Sequence, residues 1–270
     1  MYVAGSTGPG GKQARAGGRV LRLLSDALNA SILRSLLRGP LRVSELSNRL
    51  CATSRTTRFG RLRELEDLGV IVRERRSGSP PVAYCSLSPA GRELLPVVRQ
   101  FARWLRLAPD GPCGPDDAMG AQAIKALAIA WDTTVLRWLA ERPCSLTELD
   151  ALSPREVSYH EVRKAREALS QAGLIEPVPC ADRSQPYEPT YWARRAAACI
   201  AAAIRWERRS LPEPIDSTWA TEIETLSLLH PTRLWDAQSS TETKVSPREL
   251  ETLAETLAGV KADEVAAGVA

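Results

Sequence analysis

The sequence carries one pattern twice, about a hundred residues apart, and this internal repeat constrains the fold more than any other feature. The offset between matching positions is 103 at first and 104 after one inserted residue. The matching positions are Leu33, Arg34, Leu36, Pro40, Glu45, Leu46, Ser54, Leu65, Gly69 and Ile71 in the first copy, and Leu136, Arg137, Leu139, Pro143, Glu148, Leu149, Ser158, Leu169, Gly173 and Ile175 in the second. A chain with such a repeat is expected to build one small unit twice.

The first copy has the order of elements that is typical of a winged helix-turn-helix. Apolar residues recur at helical spacing from 20 to 37, with a break near Asn29. Ser44 and Ser54 are positioned to cap the second and third helices, and Gly69 is positioned to end the third. Two short apolar runs flank a basic segment with glycine and prolines, which predicts a two-stranded hairpin. The predicted elements are helices at 20–37, 44–50, 55–68 and 89–107 and strands at 70–72 and 82–87.

The second copy repeats this order after a linker rich in proline, glycine and aspartate. Helices are expected at about 121–141, 146–152, 158–172 and 193–209, with a shorter wing at 174–192. We therefore predict a mainly α fold with small β-wings, in which two tandem winged helix-turn-helix domains form an intramolecular pseudo-dimer, plus a helical C-terminal extension. The predicted parts are a disordered arm (1–18), winged-helix domain 1 (19–108), a linker (109–120), a diverged winged-helix domain 2 (121–212) and the extension (213–270).

Charge is distributed unevenly along the chain, although the net charge is only +4. Residues 1–108 hold 19 Lys and Arg against 7 Asp and Glu, whereas residues 213–270 hold 4 against 11. A basic domain in the same chain as an acidic extension indicates a polyanionic partner, and double-stranded DNA fits that description. The alternative is a solvated basic surface without a partner.

Several classes of protein are excluded by what the sequence lacks. No apolar run is long enough to span a membrane and no secretory leader is visible, so we predict no membrane contact and a bacterial cytoplasmic, nucleoid-associated location. The six cysteines form no CxxC pair and the chain has two histidines, so we predict no metal and no cofactor. No nucleophile motif and no phosphate-binding glycine loop is present, so we predict no catalytic site and no enzyme activity.

The predicted third helix of the first copy carries the strongest functional pattern. Arg55, Arg58 and Arg61 share one stripe at i, i+3 and i+6, while Leu62 and Leu65 point toward the core. A helix that enters the major groove needs such a division, although an amphipathic helix with a solvated face would also show it. The predicted DNA-contacting residues are Arg42, Ser54, Arg55, Thr56, Thr57, Arg58 and Arg61, the wing residues Arg73, Arg75 and Arg76, and in the second copy Arg163, Lys164 and Arg166.

Three runs of the first copy resemble one family. The run 39–46, GPLRVSEL, is similar to the GP-x-RF-x-EL stretch of HxlR-type regulators. Ser54 followed by RLRELE at 61–66 and PPVAYCSLSPAG at 80–91 also match motifs of that family. The resemblance covers about residues 24–105 and implies a bacterial DNA-binding transcriptional regulator that dimerises through its terminal helices. Two features depart from the family: Arg58 stands where leucine is usual, and the N-terminal cysteine of many members is missing.

Tryptophan is unusually frequent, with seven Trp against two Phe. Most of these rings lie in or beyond the first helix of the second copy, where the helices of the two copies are expected to meet. Large rigid aromatic side chains stack on flat ligands, and they also fill cores. The predicted ligand-binding residues are Trp104, Trp131, Trp138, Tyr191, Trp192 and Trp206, and packing of the interdomain core is the alternative.

The sequence therefore favours a bacterial transcriptional regulator, which we predict to be a repressor that responds to a small planar aromatic molecule bound between the two domains. One alternative is a small-molecule binding or self-resistance protein built on a winged-helix scaffold. Another is a chromosome-associated or protein–protein adaptor. Because the repeat supplies its own pairing, a monomer is expected to bind DNA, and homodimerisation through the C-terminal extension is the alternative.

Overall fold

A computed structural model describes residues 15–50, 53–76, 82–179 and 185–211, together with Leu226 and Leu229. The predicted arm before residue 15, the tips of both wings and nearly all of the extension 213–270 lie outside the described residues. Among the described residues, no helix is long and apolar enough to cross a membrane.

The chain enters its core earlier than the sequence indicated. The predicted arm extends to residue 18, yet Ala16 and Gly17 are already buried and helix α1 begins at Gly18. The Glu207 carboxylate accepts hydrogen bonds from the backbone N–H groups of Gly17 and Val20, each at 2.7 Å. Burial raises the pKa of the Glu207 carboxyl. The first turn of α1 is therefore held by a side chain that lies 190 residues later than Gly17.

Two helices, not one, cover the first apolar stretch. Helix α1 spans Gly18–Leu24 and α2 spans Ala27–Leu36, so the break lies three residues before the predicted one. Asp26 starts the second helix, because its side chain accepts a hydrogen bond from the backbone of Leu28.

The helix-turn-helix follows directly. A short strand β1 (Leu41–Arg42) leads into α3 (Val43–Arg49), and α4 spans Arg55–Asp67. Ser54 is confirmed as the N-cap of α4, since its hydroxyl accepts from the Thr57 N–H at 3.1 Å. The predicted cap of α3 was wrong: Arg42 occupies that position, and its N–H donates to the Glu45 carboxylate.

The predicted hairpin is confirmed, with an additional strand. Strands β2 (Ile71–Arg76) and β3 (Val82–Leu87) pair in antiparallel register, and β1 adds to the free edge of β3. Helix α5 (Pro89–Leu105) then starts at the base of the hairpin, with Ser88 as its N-cap and proline in its first turn.

The second half repeats the helices and the hairpin of the first, but an isolated bridge between Cys144 and Tyr187 takes the place of β1, and two helices follow the wing. The predicted helix at 121–141 is divided at Thr134, which adopts a left-handed φ of 62°. The predicted helix at 193–209 is divided at Ala196. The elements are α6 (Ala118–Asp132), α7 (Val135–Glu141), α8 (Leu146–Leu152), α9 (Tyr159–Gln171), β4 (Ile175–Pro177), β5 (Tyr187–Pro189), α10 (Tyr191–Arg195) and α11 (Ala197–Ser210).

Individual hydrogen bonds recur together with the elements. Gly69 and Gly173 end α4 and α9 with positive φ angles of 68° and 66°. The carbonyl of Gly69 accepts from the Ser88 hydroxyl at 2.5 Å, and the carbonyl of Gly173 accepts from the Thr190 hydroxyl at 3.1 Å. In both halves the helix after the wing is thereby tied to the end of the helix before it.

The two halves meet through their first and last helices. Helix α1 packs against α6 and α11, and α5 packs against α11. The Trp104 indole N–H donates to the carbonyl of Trp192, and the Trp206 indole N–H donates to the carbonyl of Ala90, both at 2.9 Å. Donor and acceptor positions are both related by an offset of 102, so each half makes the same bond to the other.

The apolar residues of both halves form one continuous core. Leu229 is fully buried in it and Leu226 packs against it, so the chain beyond α11 returns to the core at these positions.

Candidate nucleic-acid interface

The N-terminal end of α4 presents an exposed polar surface. Arg55, Thr56 and Thr57 are all exposed, and the Arg55 guanidinium lies 5.6 Å from the centre of the Phe59 ring. Phe59 is itself 37% exposed. A helix N-terminus favours anions through its unpaired N–H groups and its dipole, so this end suits phosphate as well as base edges.

Arg58 does not belong to that surface. Its Nη1 donates to the carbonyls of Leu50 and Thr53 at 3.0 and 2.6 Å, and the side chain is half-buried. The guanidinium therefore bridges the turn between α3 and α4. The expectation of one exposed arginine stripe was wrong at this position, because residue 58 lies on the same side of the helix as Leu62 and Leu65.

Arg61 is also engaged within the protein. It pairs with Asp26 at 2.5 Å and with Glu64 at 2.7 Å, and its side chain is half-buried. The hydrogen bond that Arg61 donates to the Glu64 carboxylate raises the pKa of Arg61. The pair with Asp26 connects α4 to the N-cap of α2. Of the three arginines in the predicted stripe, only Arg55 is exposed.

The face of α4 opposite its core residues contains positions that the sequence analysis missed. Gly60 and Arg63 are exposed there, in line with Thr56. A helical projection centred on Leu62 and Leu65 would have identified them, because positions 56, 60 and 63 fall on the other side of the helix.

The wing residues differ in how freely they can reach DNA. The Arg73 Nε donates to the Glu66 carboxylate at 2.7 Å, which raises the pKa of Arg73. Arg75 is exposed, and the side chain of Arg76 is not among those that the structure describes. Arg42 is exposed and donates through its Nε to the Tyr84 hydroxyl at 3.3 Å.

The basic residues predicted on the second half are less available. Arg163 pairs with Glu167 at 2.8 Å, and Arg166 is half-buried over the ring of Tyr187. Lys164 is exposed. DNA contact by any predicted residue, in either half, stays a prediction.

Glu161 stands where the first half has Thr57. Its carboxylate accepts hydrogen bonds from the Ser158 N–H at 2.8 Å and hydroxyl at 2.9 Å. The first turn of α9 therefore carries a negative charge that the first turn of α4 lacks, and phosphate would be repelled there.

Four of the predicted ligand-binding rings are packed inside the protein. Trp104 and Trp192 stack with their centres 4.7 Å apart, and the Trp192 N–H donates back to the Trp104 carbonyl at 3.1 Å. Trp131 and Trp206 are at most 2% exposed, and each indole N–H donates to a backbone carbonyl. Interior packing accounts for all four, as the alternative interpretation expected, and ligand binding by them stays a prediction.

The other two predicted ligand residues differ from these four. Trp138 is half-buried beneath the Arg137 guanidinium, and its indole N–H has no hydrogen-bond partner among the described residues. Tyr191 is 58% exposed and its hydroxyl accepts from Arg195 at 2.9 Å.

Three cysteines are small buried side chains: Cys85, Cys144 and Cys199. Burial raises the pKa of the Cys199 thiol to about 12, so this side chain stays protonated at neutral pH. Within the part of the chain that the structure describes, no group of His, Cys, Asp and Glu side chains has the arrangement of a metal site.

Comparison with known proteins identifies the first half. Residues 23–109 match the family model of the HxlR-like helix-turn-helix. The chain is 37% identical over 79 residues to an uncharacterized HTH-type transcriptional regulator, sll1512, of Synechocystis sp., a match that covers 29% of this chain and 58% of the relative. The chain thus spans little more than half of that curated relative. Residues 23–109 are an HxlR-like helix-turn-helix domain.

Two solved structures are similar over about a third of the chain. A candidate HTH-type transcriptional regulator, ytcD, is 30% identical, and the match covers 32% of this chain and 87% of that chain with a TM-score of 0.30. A candidate transcriptional regulator of the MarR family from Porphyromonas gingivalis is 19% identical, and the match covers 38% and 95% with a TM-score of 0.30.

Proposed function

We propose that this protein is a DNA-binding transcriptional regulator whose first winged helix reads the operator. The observation that carries the proposal is the exposed first turn of α4, with Arg55, Thr56 and Thr57 in a helix-turn-helix domain of the HxlR type. Such a turn offers guanidinium and hydroxyl groups to base edges and phosphates in the major groove. Arg75 on the wing adds a phosphate contact at the flank.

We further propose that the second half is a diverged winged helix and that the chain is an intramolecular pseudo-dimer. The recurring hydrogen bonds at Gly69 and Gly173 support this arrangement. So do the reciprocal bonds made by Trp104 and Trp206. If both halves dock on DNA, their recognition helices enter major grooves roughly 34 Å apart. Since α4 and α9 differ in their first turns, the operator is expected to be asymmetric.

The test is binding of the full chain to the DNA upstream of its own gene, measured by fluorescence anisotropy at several salt concentrations. Replacing Arg55, Thr56 and Thr57 together by alanine should weaken specific binding by at least tenfold, about 1.4 kcal/mol. The matched control replaces Tyr159, His160 and Glu161 by alanine and should leave the affinity within threefold. Unchanged affinity of the first variant would remove α4 as the reading helix.

We also propose, from the sequence alone, that the protein is a repressor and that it responds to a planar aromatic molecule. Of the predicted ligand residues, Tyr191 has an exposed ring, and Trp138 is half-buried with a buried indole N–H that has no partner among the described residues. A reporter gene behind the same upstream DNA measures the direction of regulation. Loss of repression on adding an aromatic acid would support the sensor, whereas expression that rises with the protein would contradict repression.

A further inference from the structure

A groove of about 420 Å³ lies between α1 and the C-terminal half of α4. The residues that carry its charge and shape are Arg19, Arg22, Gly60, Arg63, Glu64 and Asp67. Its volume falls within the range of small-molecule sites, about 300 to 1,000 Å³. The guanidinium groups come from both helices and the carboxylates from α4 alone, so a ligand would meet opposite charges.

The glycine at position 60 is a second feature of this groove that points to a ligand. It lies in the interior of α4, where glycine lowers helix stability relative to alanine. A Cβ atom at this position would meet no atom within 4 Å, so packing among the described residues does not require glycine here. Glycine allows a ligand to approach the helix backbone closely. The corresponding residue of α9 is Lys164, which is exposed.

We propose that this groove binds a small amphoteric anion, a molecule with a carboxylate for the arginines and an ammonium or hydroxyl group for the acids. Arginine recognises carboxylates through paired hydrogen bonds, and carboxylates accept from ammonium and hydroxyl groups. DNA phosphate fits this lining less well, because Glu64 and Asp67 repel a polyanion. The open first turn of α4 contains no acid and suits DNA better.

Two residues of the groove belong to ion pairs: Arg22 to one between α1 and α6, and Glu64 to one within α4. Arg22 lies 3.6 Å from Asp132 of α6, and Glu64 binds Arg61, which also holds Asp26. A ligand that engages Arg22 and Glu64 competes for these partners and changes how α4 is held. The resulting change in DNA affinity rests on the proposed function, whereas ligand binding itself does not.

The first experiment uses the full chain without DNA and measures its melting temperature with L-glutamate, glutarate or inorganic phosphate. L-glutamate at ten times its Kd should raise the melting temperature by about 3 °C, and glutarate and phosphate should raise it less. Gly60→Leu fills the groove and should abolish the shift. The matched control, Lys164→Leu on α9, should keep it. If Gly60→Leu fails to fold, Arg63→Gln is compared with Arg99→Gln on the exposed face of α5.

Four results would overturn the proposal. Absence of a shift with all three probes, or equal shifts in both leucine variants, removes the site. A larger shift with phosphate than with L-glutamate contradicts the amphoteric class. The second experiment measures DNA affinity of Gly60→Leu without any probe. A loss as large as that of the Arg55 triple variant would make the groove a DNA surface. If the wild type binds no DNA but the glutamate shift depends on Gly60, the proposed function fails and the ligand site stands.

Discussion

The first turn of α4 carries Arg55 and Thr57, whereas the first turn of α9 carries Tyr159 and Glu161 at the same positions. The backbone beneath them is the same, since Ser54 and Ser158 both cap their helices through the side-chain oxygen. The chemistry of the exposed first turn differs: α4 presents two hydroxyls and a cation, whereas α9 presents an anion and an exposed aromatic ring. A shared scaffold therefore does not imply a shared partner.

The inward faces of the two helices differ as well. Arg58 and Arg61 stand in α4 where α9 has Val162 and Ala165, both fully buried. Arginine at these positions lies over the core and ends on a carbonyl or a carboxylate. The two halves thus stabilise the same helix differently, by apolar burial in α9 and by bridging polar contacts in α4.

The largest change in stability is expected at the reciprocal hydrogen bonds that Trp104 and Trp206 make between the two halves. Trp104→Ala and Trp206→Ala should each lower the free energy of unfolding by about 3–5 kcal/mol, because each removes a buried ring and a hydrogen bond across the halves. Urea denaturation followed by circular dichroism measures this. Trp→Phe at the same positions retains most of the ring and should cost about 1 kcal/mol.

Tyr191→Ala is the control for these substitutions, since that ring is 58% exposed. It should change the free energy of unfolding by less than about 0.5 kcal/mol. If Trp104→Ala and Trp206→Ala differed severalfold in their cost, the equivalence of the two contacts would be lost, and with it the main support for a pseudo-dimer.

Local features of this fold were readable from the sequence. Ser54 and Gly69 bound α4 as predicted, because capping and left-handed termination depend on residues adjacent in the chain. The role of Arg58 was not readable, because its partners Leu50 and Thr53 are backbone carbonyls whose position depends on the turn between two helices. A charged residue in a sequence can face solvent, bind another molecule or bind the protein's own backbone, and the three cases are distinguished only by the folded structure.

The long-range contacts between the halves follow the same rule. The meeting of the terminal helices was expected from the repeat and from the resemblance to HxlR-type regulators. The stacking of Trp104 on Trp192 and the hydrogen bonds from the first helix to Glu207 were not, since the side chains that touch depend on how the two halves pack.

An intermediate effect separates Arg55 from Arg58. Arg55→Val should weaken specific DNA binding by about 1–3 kcal/mol and leave the free energy of unfolding unchanged, because its side chain is exposed. Arg58→Val installs the residue type of Val162 and should lower the free energy of unfolding by about 1–2 kcal/mol, since the carbonyls of Leu50 and Thr53 each lose the hydrogen bond from Arg58. Anisotropy with matched and scrambled DNA, together with urea titration, measures both. Loss of sequence preference in Arg58→Val at unchanged stability would restore Arg58 to the reading surface.

The smallest effect concerns the caps of α3 and α8, where Glu45 and Glu148 occupy equivalent positions. Hydrogen bonds from Ser145 and Arg142 lower the pKa of Glu148 from its usual 4.5 to about 2. A carboxyl whose folded pKa is depressed stabilises the fold above its unfolded pKa, and this contribution is lost as the pH falls from about 4.5 toward 2. The urea midpoint of the wild type should therefore fall more steeply over that range than the midpoint of Glu148→Gln. Equal slopes for wild type and Glu148→Gln would show that the cap of α8 contributes no more to acid stability than a solvated carboxylate.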